Sequence, residues 1–325
     1  MRRHLVAAAV VTAAALSLAA CGTTESASSG DTASPASKKI TVTDATGTKV
    51  TLDGPATKVV GTEWSVLENL VQLGVDPVGA SDVKGYNSYD TAEPLKSSTK
   101  DIGTRGEPSM DTIASLSPDL IVATTDLSAS ALKQLRKVAP VITVKSADAA
   151  DQIGQMTKNL DMIAKATGTT AKATAIEKQL DTKIAEGKQK IADAGLTGSK
   201  IAFADAYVVS NQVTVRAYTS GSMLGAVNEE LGLKNAWTLK GDAAYGLAST
   251  DVEGLTKLGD VQFAYEVNDA DGDPFTDQLA KNSVWKSLPF VKDDKVHRLH
   301  DGIWMFGGPA AAESYIDAIV DTLTK

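Results

Sequence analysis

Cysteine and histidine are nearly absent from this chain of 325 residues. Cys21 is the only cysteine, which excludes an internal disulfide and a metal cluster held by thiolates. Beyond residue 20 only His297 and His300 remain, too few to favour a zinc or manganese site of clustered imidazoles and carboxylates. The sequence also contains no nucleophile elbow and no phosphate-binding glycine loop. We therefore expect neither an enzyme, nor a cofactor, nor a metal bound directly by the protein.

Basic residues and long apolar runs are scarce as well. Without Arg2 and Arg3, 30 basic residues stand against 40 acidic ones, a formal net charge of −10. This acidic balance argues against nucleic acid and against an anionic lipid surface as partners. Beyond residue 20, no apolar run approaches the length of a membrane-spanning helix. We expect a soluble body.

The one long apolar run, residues 5–20, follows Arg2 and Arg3 and ends in small residues directly before Cys21. This pattern is typical of a cleaved signal peptide. A cysteine at this point resembles the bacterial lipobox, in which the thiol is acylated, as with palmitate; the alternative is an ordinary signal peptide with an incidental cysteine. We predict a signal peptide at 1–20 and a lipidated Cys21 with a flexible tether at 21–39. The protein would then be held at the extracytoplasmic face of the plasma membrane by its lipid anchor only.

The remaining chain is long enough for two domains, and short β-branched runs alternate in it with segments of helical period. This alternation predicts α/β structure with mostly parallel sheets covered on both faces. Residues 149–194 differ, because they are charged and helical in period, and Gly168 divides them into two helices. The predicted strands lie near 58–60, 75–80, 120–123, 141–144, 201–204, 213–217, 261–265 and 296–299.

Two patterns occur once in each half of the chain. A helical segment ending in Leu73-Gly74-Val75 is matched by one ending in Leu231-Gly232-Leu233. Asp111, in a predicted first helical turn behind the cap Ser109, is matched by Glu253. Acids are common in first turns because they complement the helix dipole. Two matches in the same order nevertheless predict two similar lobes that flank a helical connector.

Three segments carry a resemblance to a known family: residues 59–82, residues 101–123 with Gly-Thr-Arg-Gly at 103–106, and the tail from 284 with Trp-Met-Phe-Gly-Gly at 304–308. In this order they resemble the iron-siderophore (FecB/FhuD-like) periplasmic-binding family, which includes vitamin B12 binders. The resemblance extends from about Ile40 to the C-terminus. It implies a class III fold, in which two Rossmann-like lobes are joined by one long rigid helix. The predicted domains are an N-terminal lobe at 40–148, a connecting helix at 149–167 and a C-terminal lobe at 168–325.

A ferric siderophore is partly apolar and ringed with oxygen atoms, so its site needs flat aromatic walls and a few donors, chiefly arginine. Arg105 is the first candidate, because its loop follows a strand at the carboxyl edge of the sheet, where open α/β folds bind ligands. The resemblance implies that it contacts iron-bound oxygens; the alternative is a solvated loop arginine. Arg216, near a strand end, is the second candidate.

Aromatic residues make up only 5% of the chain, so their positions are informative. Trp64 opens a helix directly after the first predicted strand, where it is either a groove wall or a core residue. We interpret residues 85–89 as a loop that exposes two tyrosines. The predicted aromatic contacts are Trp64, Tyr86, Tyr89, Tyr245, Trp304 and Phe306.

One or two arginines, aromatic walls and a charge of −10 favour a neutral or cationic ligand over a multiply charged catecholate or citrate complex. Ferric trihydroxamates of the ferrioxamine type fit, and a corrinoid or haem on the same fold stays open. The resemblance also implies that one acid on each lobe docks onto arginines of an ABC permease dimer. Asp111 and Glu253 are the candidates, with Glu107 as a rival in the first lobe; the alternative for these acids is a helix-dipole role. We predict a monomeric binding protein that delivers a ferric siderophore to an ABC importer.

Overall fold

The structure, a computed structural model, describes residues 39–325. The predicted signal peptide, Cys21 and nearly all of the predicted tether lie outside the described residues. Within residues 39–325, no helix combines the length and the apolar character that crossing a membrane requires.

The first sheet is built from five short strands that run parallel to one another, and all but the exposed edge strand at Lys100–Asp101 are buried. A hairpin of β1 (Ile40–Thr43) and β2 (Lys49–Leu52) precedes them. The five strands are β3 (Val59–Gly61), β4 (Gly79–Ala80), β5 (Lys100–Asp101), β6 (Leu120–Thr124) and β7 (Val141–Val144), in the order β5-β4-β3-β6-β7. All five residues of β6 are buried, as expected for a strand with helices over both faces.

Four helices connect these strands. They are α1 (Trp64–Gln72), α2 (Val83–Tyr89), α3 (Met110–Leu116) and α4 (Ala129–Val138). The predicted cap Ser109 is confirmed, because its side chain accepts a hydrogen bond from the amide of Thr112. The strand predicted at 75–80 is reduced to two residues. The reason is that the amide of Val75 bonds to the carbonyl of Leu70 at the end of α1, and Pro77 has no N–H to donate.

Two helices, α5 (Gln152–Thr167) and α6 (Thr170–Asp193), follow the first sheet. Gly168 separates them, as predicted, with φ of 74°. On α5, Met156 packs in the core of the second lobe, whereas Ile163 packs in the core of the first. On α6, Ile176 lies in the first core and Leu180 in the second. The two lobes therefore share a helical pair. The domain limits drawn from the sequence stay a prediction.

The second sheet repeats the parallel arrangement and adds a hairpin. Its strands are β8 (Lys200–Val209), β9 (Gln212–Tyr218), β10 (Lys234–Asn235), β11 (Leu247–Thr250), β12 (Gln262–Tyr265) and β13 (Val296–Arg298). The order is β11-β9-β8-β12-β13; β10, β12 and β13 are parallel to β8, and β9 is antiparallel to it. The helices are α7 (Met223–Glu230), α8 (Pro274–Asp277), α9 (Ser283–Ser287), α10 (Pro289–Lys292) and α11 (Pro309–Leu323), with 3₁₀ turns at Gly254–Lys257 and Leu279–Lys281.

The first sequence repeat has a clear structural basis. Gly74 and Gly232 have φ of 81° and 86°, and each follows the end of a helix, α1 or α7. The next amide reaches back to the carbonyl five residues earlier, Val75 to Leu70 and Leu233 to Asn228, so both helices end in a Schellman motif. The second repeat is looser, because Glu253 precedes a 3₁₀ turn and not an α-helix. Two α/β lobes with mostly parallel sheets confirm the predicted fold class.

Candidate ligand-binding site

A cavity of about 800 Å³ lies between the two lobes. Its walls come from the segments that follow β3, β5 and β7 in the first lobe and β12 and β13 in the second, together with the β8–β9 hairpin. The carboxyl ends of parallel strands thus meet at this cavity, which is where α/β sheets bind ligands. The volume is in the upper part of the range of about 300–1,000 Å³ usual for small-molecule sites.

The first wall is a layer of aromatic rings. Trp64 stacks on Tyr89 with the ring centroids 5.7 Å apart, and the ring of Trp304 meets Trp64 at 4.6 Å. The indole N–H of Trp64 donates to the carbonyl of Ser81, which holds its ring in place. Phe306 continues the layer, 5.1 Å from Trp304, and Tyr245 contacts it edge-on at 5.6 Å. Trp64 is therefore both a core residue and part of the cavity wall, since it is buried and also lines the cavity.

Arg105 lies across this aromatic layer. Its guanidinium carbon is 4.0 Å from the ring centre of Trp64 and 5.3 Å from that of Trp304. One Nη donates to Glu63 at 2.9 Å. A guanidinium has five N–H donors, so a single bond to Glu63 leaves several for another partner. The aromatic faces and Glu63 together fix the position of the cation in a half-exposed site.

The second wall carries a tighter arginine–carboxylate pair. Nε of Arg216 donates to both oxygens of Asp205, at 2.9 and 3.1 Å, and Nη2 also bonds to Asp205. The hydroxyl of Tyr218 donates to the same carboxylate at 3.0 Å. β8 and β9 pair Asp205 directly opposite Arg216, so the hairpin itself sets this contact. Beyond it, Tyr207 and Val208 of β8 extend the wall as exposed side chains.

Two further acids lie on the second wall. Glu266 follows β12 directly and is only 2% exposed. Burial, together with the nearby charges of Asp301 and Asp205, raises the pKa of the Glu266 carboxyl to about 8. Asp271 accepts a hydrogen bond from the hydroxyl of Tyr89 in the opposite lobe. The acidic and basic residues that line the cavity are thus four acids, Glu63, Asp205, Glu266 and Asp271, and two arginines, Arg105 and Arg216.

Hydrogen bonds cross between the lobes around the cavity. Tyr245 of the second lobe donates to Asp126 of the first, and Asn268 donates to the carbonyl of Ser88 at 3.0 Å. Behind the aromatic layer, Glu68 of α1 accepts hydrogen bonds from the amides of Gly308 and Ala311 at the start of α11, at 2.7 and 2.9 Å. A Cβ on Gly307 or Gly308 would collide with side chains of α1, which explains glycine at both positions.

The structure brings seven of the eight predicted ligand residues to one cavity; they are Trp64, Tyr89, Arg105, Arg216, Tyr245, Trp304 and Phe306. Their role as ligand contacts stays a prediction. Tyr86 is the exception. Residues 83–89 form the helix α2, so the loop interpretation is wrong, and Tyr86 is fully buried with its hydroxyl bonded to the carbonyl of Glu93 at 2.6 Å. The three-residue spacing of Tyr86 and Tyr89 behind the cap Asp82 was the helical signal that sequence reasoning missed.

The three predicted docking acids are exposed. Asp111 lies in the first turn of α3, Glu107 in the loop before it, and Glu253 at the start of the 3₁₀ turn Gly254–Lys257. Their docking role stays a prediction. Among residues 39–325, no group of three or more histidine, cysteine or acidic side chains is arranged to hold a metal ion.

Sequence reasoning did not identify the acidic residues of the second wall. Asp205 and Glu266 each come directly after a run that was recognised as a buried strand, at 201–204 and 261–265. An acid at the carboxyl end of a buried parallel strand points to the edge where ligands bind. The ligand-binding candidates predicted from the sequence were arginines and aromatic residues, so these two acids were not among them.

Two similar α/β lobes, a helical connection and a cavity where their strands end define a two-lobed substrate-binding protein of class III, which is a binding protein and not an enzyme. The periplasmic binding protein family model matches residues 59–302. The chain belongs to this family, and the resemblance read from the sequence is confirmed.

Curated relatives and a solved structure agree with this assignment. The probable siderophore-binding lipoprotein YfiY of Bacillus subtilis (strain 168) is 26% identical, over 99% of this chain and 98% of the relative. The Fe(3+)-citrate-binding protein YfmC of the same organism is 32% identical, over 82% and 80% of the two chains. The siderophore-binding protein FhuD of Vibrio cholerae, solved with Fe3+-Desferal bound, superposes with a TM-score of 0.72 at 25% identity, covering 82% of this chain and 98% of that one.

Proposed function

We propose that this protein binds a ferric trihydroxamate siderophore of the ferrioxamine type in the cavity between its lobes and delivers it to an ABC importer. The observation that carries the ligand class is the charge of the cavity. Both arginines are already bound to carboxylates, and Asp271 adds a further acid to the same space, whereas the raised pKa of Glu266, about 8, keeps that carboxyl mostly protonated at neutral pH. A citrate or catecholate complex with several negative charges would meet a net negative wall.

The first wall supplies the attractive contacts. The rings of Trp64, Tyr89 and Trp304 offer flat apolar surface to the methylene chains of a linear hydroxamate. The guanidinium of Arg105 lies over the ring of Trp64 and presents its N–H donors beside this aromatic surface. Hydroxamate oxygens bound to iron carry partial negative charge and are strong acceptors, so they match these donors without requiring a second free cation.

The relatives support the ligand class in part. The V. cholerae structure contains Fe3+-Desferal, which is a ligand of the proposed type, whereas YfmC is named for ferric citrate. The names of these relatives therefore point to different ligands. The acids of the second wall favour an uncharged or cationic ferric siderophore complex over an anionic one.

A ligand panel tests the proposal. Trp64 and Trp304 line the cavity, so a ligand that binds there quenches tryptophan fluorescence. We expect ferrioxamine to bind more tightly than ferric citrate, a ferric triscatecholate, haem or cobalamin. Tighter binding of citrate or the triscatecholate would overturn the hydroxamate assignment, and tighter binding of haem or cobalamin would favour the alternative of a haem or corrinoid carrier on the same fold.

Delivery and anchoring belong to the same proposal. We infer that Cys21 carries the lipid anchor, and that Asp111 and Glu253, with Glu107 as the rival in the first lobe, dock onto arginines of the permease dimer. The exposure of all three acids on the described structure supports this role. Charge reversal to lysine at both Asp111 and Glu253 should abolish uptake of the ferric siderophore by cells while leaving its affinity for the purified protein unchanged. Normal uptake would exclude these two acids as the docking pair.

A further inference from the structure

Glu266 is a buried acid on the wall of the cavity, and it forms no ion pair with either of the arginines near it. It is 2% exposed and lines the cavity beside Asp205 and Asn268. Within the part of the chain that the structure describes, its Oε1 has no hydrogen-bond partner. Buried polar atoms are nearly always hydrogen-bonded, so an unpartnered carboxylate oxygen at a ligand cavity needs an explanation.

The charged groups around Glu266 do not neutralise it. On β8, Asp205 is an acid that is itself bound to Arg216. Arg298, the last residue of β13, donates from its Nη2 to Asp269 and, at 2.8 Å, to Oδ1 of Asp301 in the loop after the strand. A hydrogen bond from the backbone amide of Gly302 and the charge of Arg298 both favour the charged form, but burial and the neighbouring acids outweigh them. Both neighbouring arginines are therefore committed to other carboxylates.

The pKa of Glu266 is raised to about 8 because the charged form is desolvated and lies close to Asp301 and Asp205, while the neighbouring arginines are bonded to other acids. A neutral N–H group on a ligand would offer little to a carboxyl that keeps its proton. A cation would favour the ionised form and supply the missing partner at once.

We propose, on the basis of the function proposed above, that Glu266 recognises a protonated amine at the periphery of the ferric siderophore. The iron-ligating oxygens then face Arg105 on the first wall, and the ammonium group faces the second wall. The two walls of the cavity then contact the two chemically different ends of one ligand.

Two forms of one ligand test this directly. One is a linear ferric trihydroxamate that ends in a free primary amine, and the other is the same compound with that amine N-acetylated. At pH 8.5 we expect the wild-type protein to bind the amine form about tenfold more tightly, the usual scale of one charge-assisted hydrogen bond. Glu266→Gln keeps the shape of the side chain and should bring the ratio close to one. The exposed Glu230→Gln on α7 is the matched control and should keep the wild-type ratio.

The pH dependence of the same ratio needs no variant. Because the ammonium binds the ionised carboxyl, the preference for the amine form should increase as pH rises from 6 toward 9, and should be flat in Glu266→Gln. Equal affinity for both forms at every pH would overturn this inference and leave the proposed function intact. Binding of neither form would overturn the proposed function, and the inference with it.

Discussion

Two arginines face the cavity from opposite lobes, and each is paired with a carboxylate, but the two pairs are built differently. Arg216 bonds to both oxygens of Asp205, whose side chain is 9% exposed, and Tyr218 donates to the same group. Arg105 makes one bond to Glu63, whose side chain is 24% exposed, and otherwise rests on aromatic rings. The same two residue types therefore hold a hairpin together on one wall and present free donors on the other.

The largest expected effect concerns the first wall. Arg105→Ala should weaken binding of a ferric trihydroxamate about 100-fold, because hydrogen bonds from a charged donor contribute up to about 3 kcal/mol each. Arg105→Lys should give an intermediate loss, since it keeps the charge but not the planar fork. Fluorescence titration measures both. Arg136→Ala, on the exposed face of α4, is the control and should bind like wild type. Wild-type affinity in Arg105→Ala would remove Arg105 from the site.

The second expected effect concerns the free energy of unfolding, and it should differ between the Arg216–Asp205 and Arg105–Glu63 pairs. Arg216→Ala leaves Asp205 buried without its cation and should lower the free energy of unfolding by about 2 kcal/mol, less than for a fully buried pair because Arg216 is partly exposed. Arg105→Ala should lower it by less than about 1 kcal/mol, as for other exposed ion pairs. Urea denaturation compares the two variants. Equal losses in the free energy of unfolding would show that the two ion pairs stabilise the fold equally, contrary to the difference described above.

The third prediction compares two buried acids. Glu266 faces the cavity, whereas Asp90 is enclosed behind the aromatic layer, next to Glu68. Burial, together with the charge of Glu68, raises the pKa of Asp90 to about 10. In the unfolded chain this pKa is about 3.9, so between these values the folded protein holds a proton that the unfolded chain has lost. Its stability must then fall as pH rises across that range, by up to about 1.4 kcal/mol per pH unit.

Asp90→Asn removes this proton linkage. The free energy of unfolding should therefore fall less steeply between pH 6 and 9 in the variant than in wild type, while ligand affinity stays the same. Urea denaturation at several pH values measures the slope. An unchanged slope would mean that Asp90 is already ionised in the folded protein.

Local patterns predicted much of the fold. The buried runs at 120–123 and 141–144, the cap Ser109 and the breaks at Gly74 and Gly168 are all found where the sequence placed them. Each depends on a residue's own backbone preference or on the burial of a short segment. The helix at 83–89 was missed because its apolar face consists of only three residues, Val83, Tyr86 and Tyr89.

The cavity depends on contacts that spacing does not reveal. Trp304 lies against Trp64, 240 positions earlier, because α11 docks onto Glu68 of α1. The pairing of Asp205 with Arg216 requires the antiparallel register of β8 and β9, whereas the sequence indicated only two separate strands. Residue types and strand ends could thus be predicted, but which acid neutralises which arginine could not.

The central claim is that iron-bound oxygens of the ligand lie against Arg105, above the rings of Trp64 and Trp304. A crystal structure of the protein with a ferric trihydroxamate measures this directly. We predict an Nη of Arg105 within about 3 Å of a hydroxamate oxygen that is also bound to iron. A complex in which Arg105 keeps only its bond to Glu63, with the iron centre elsewhere, would contradict the claim.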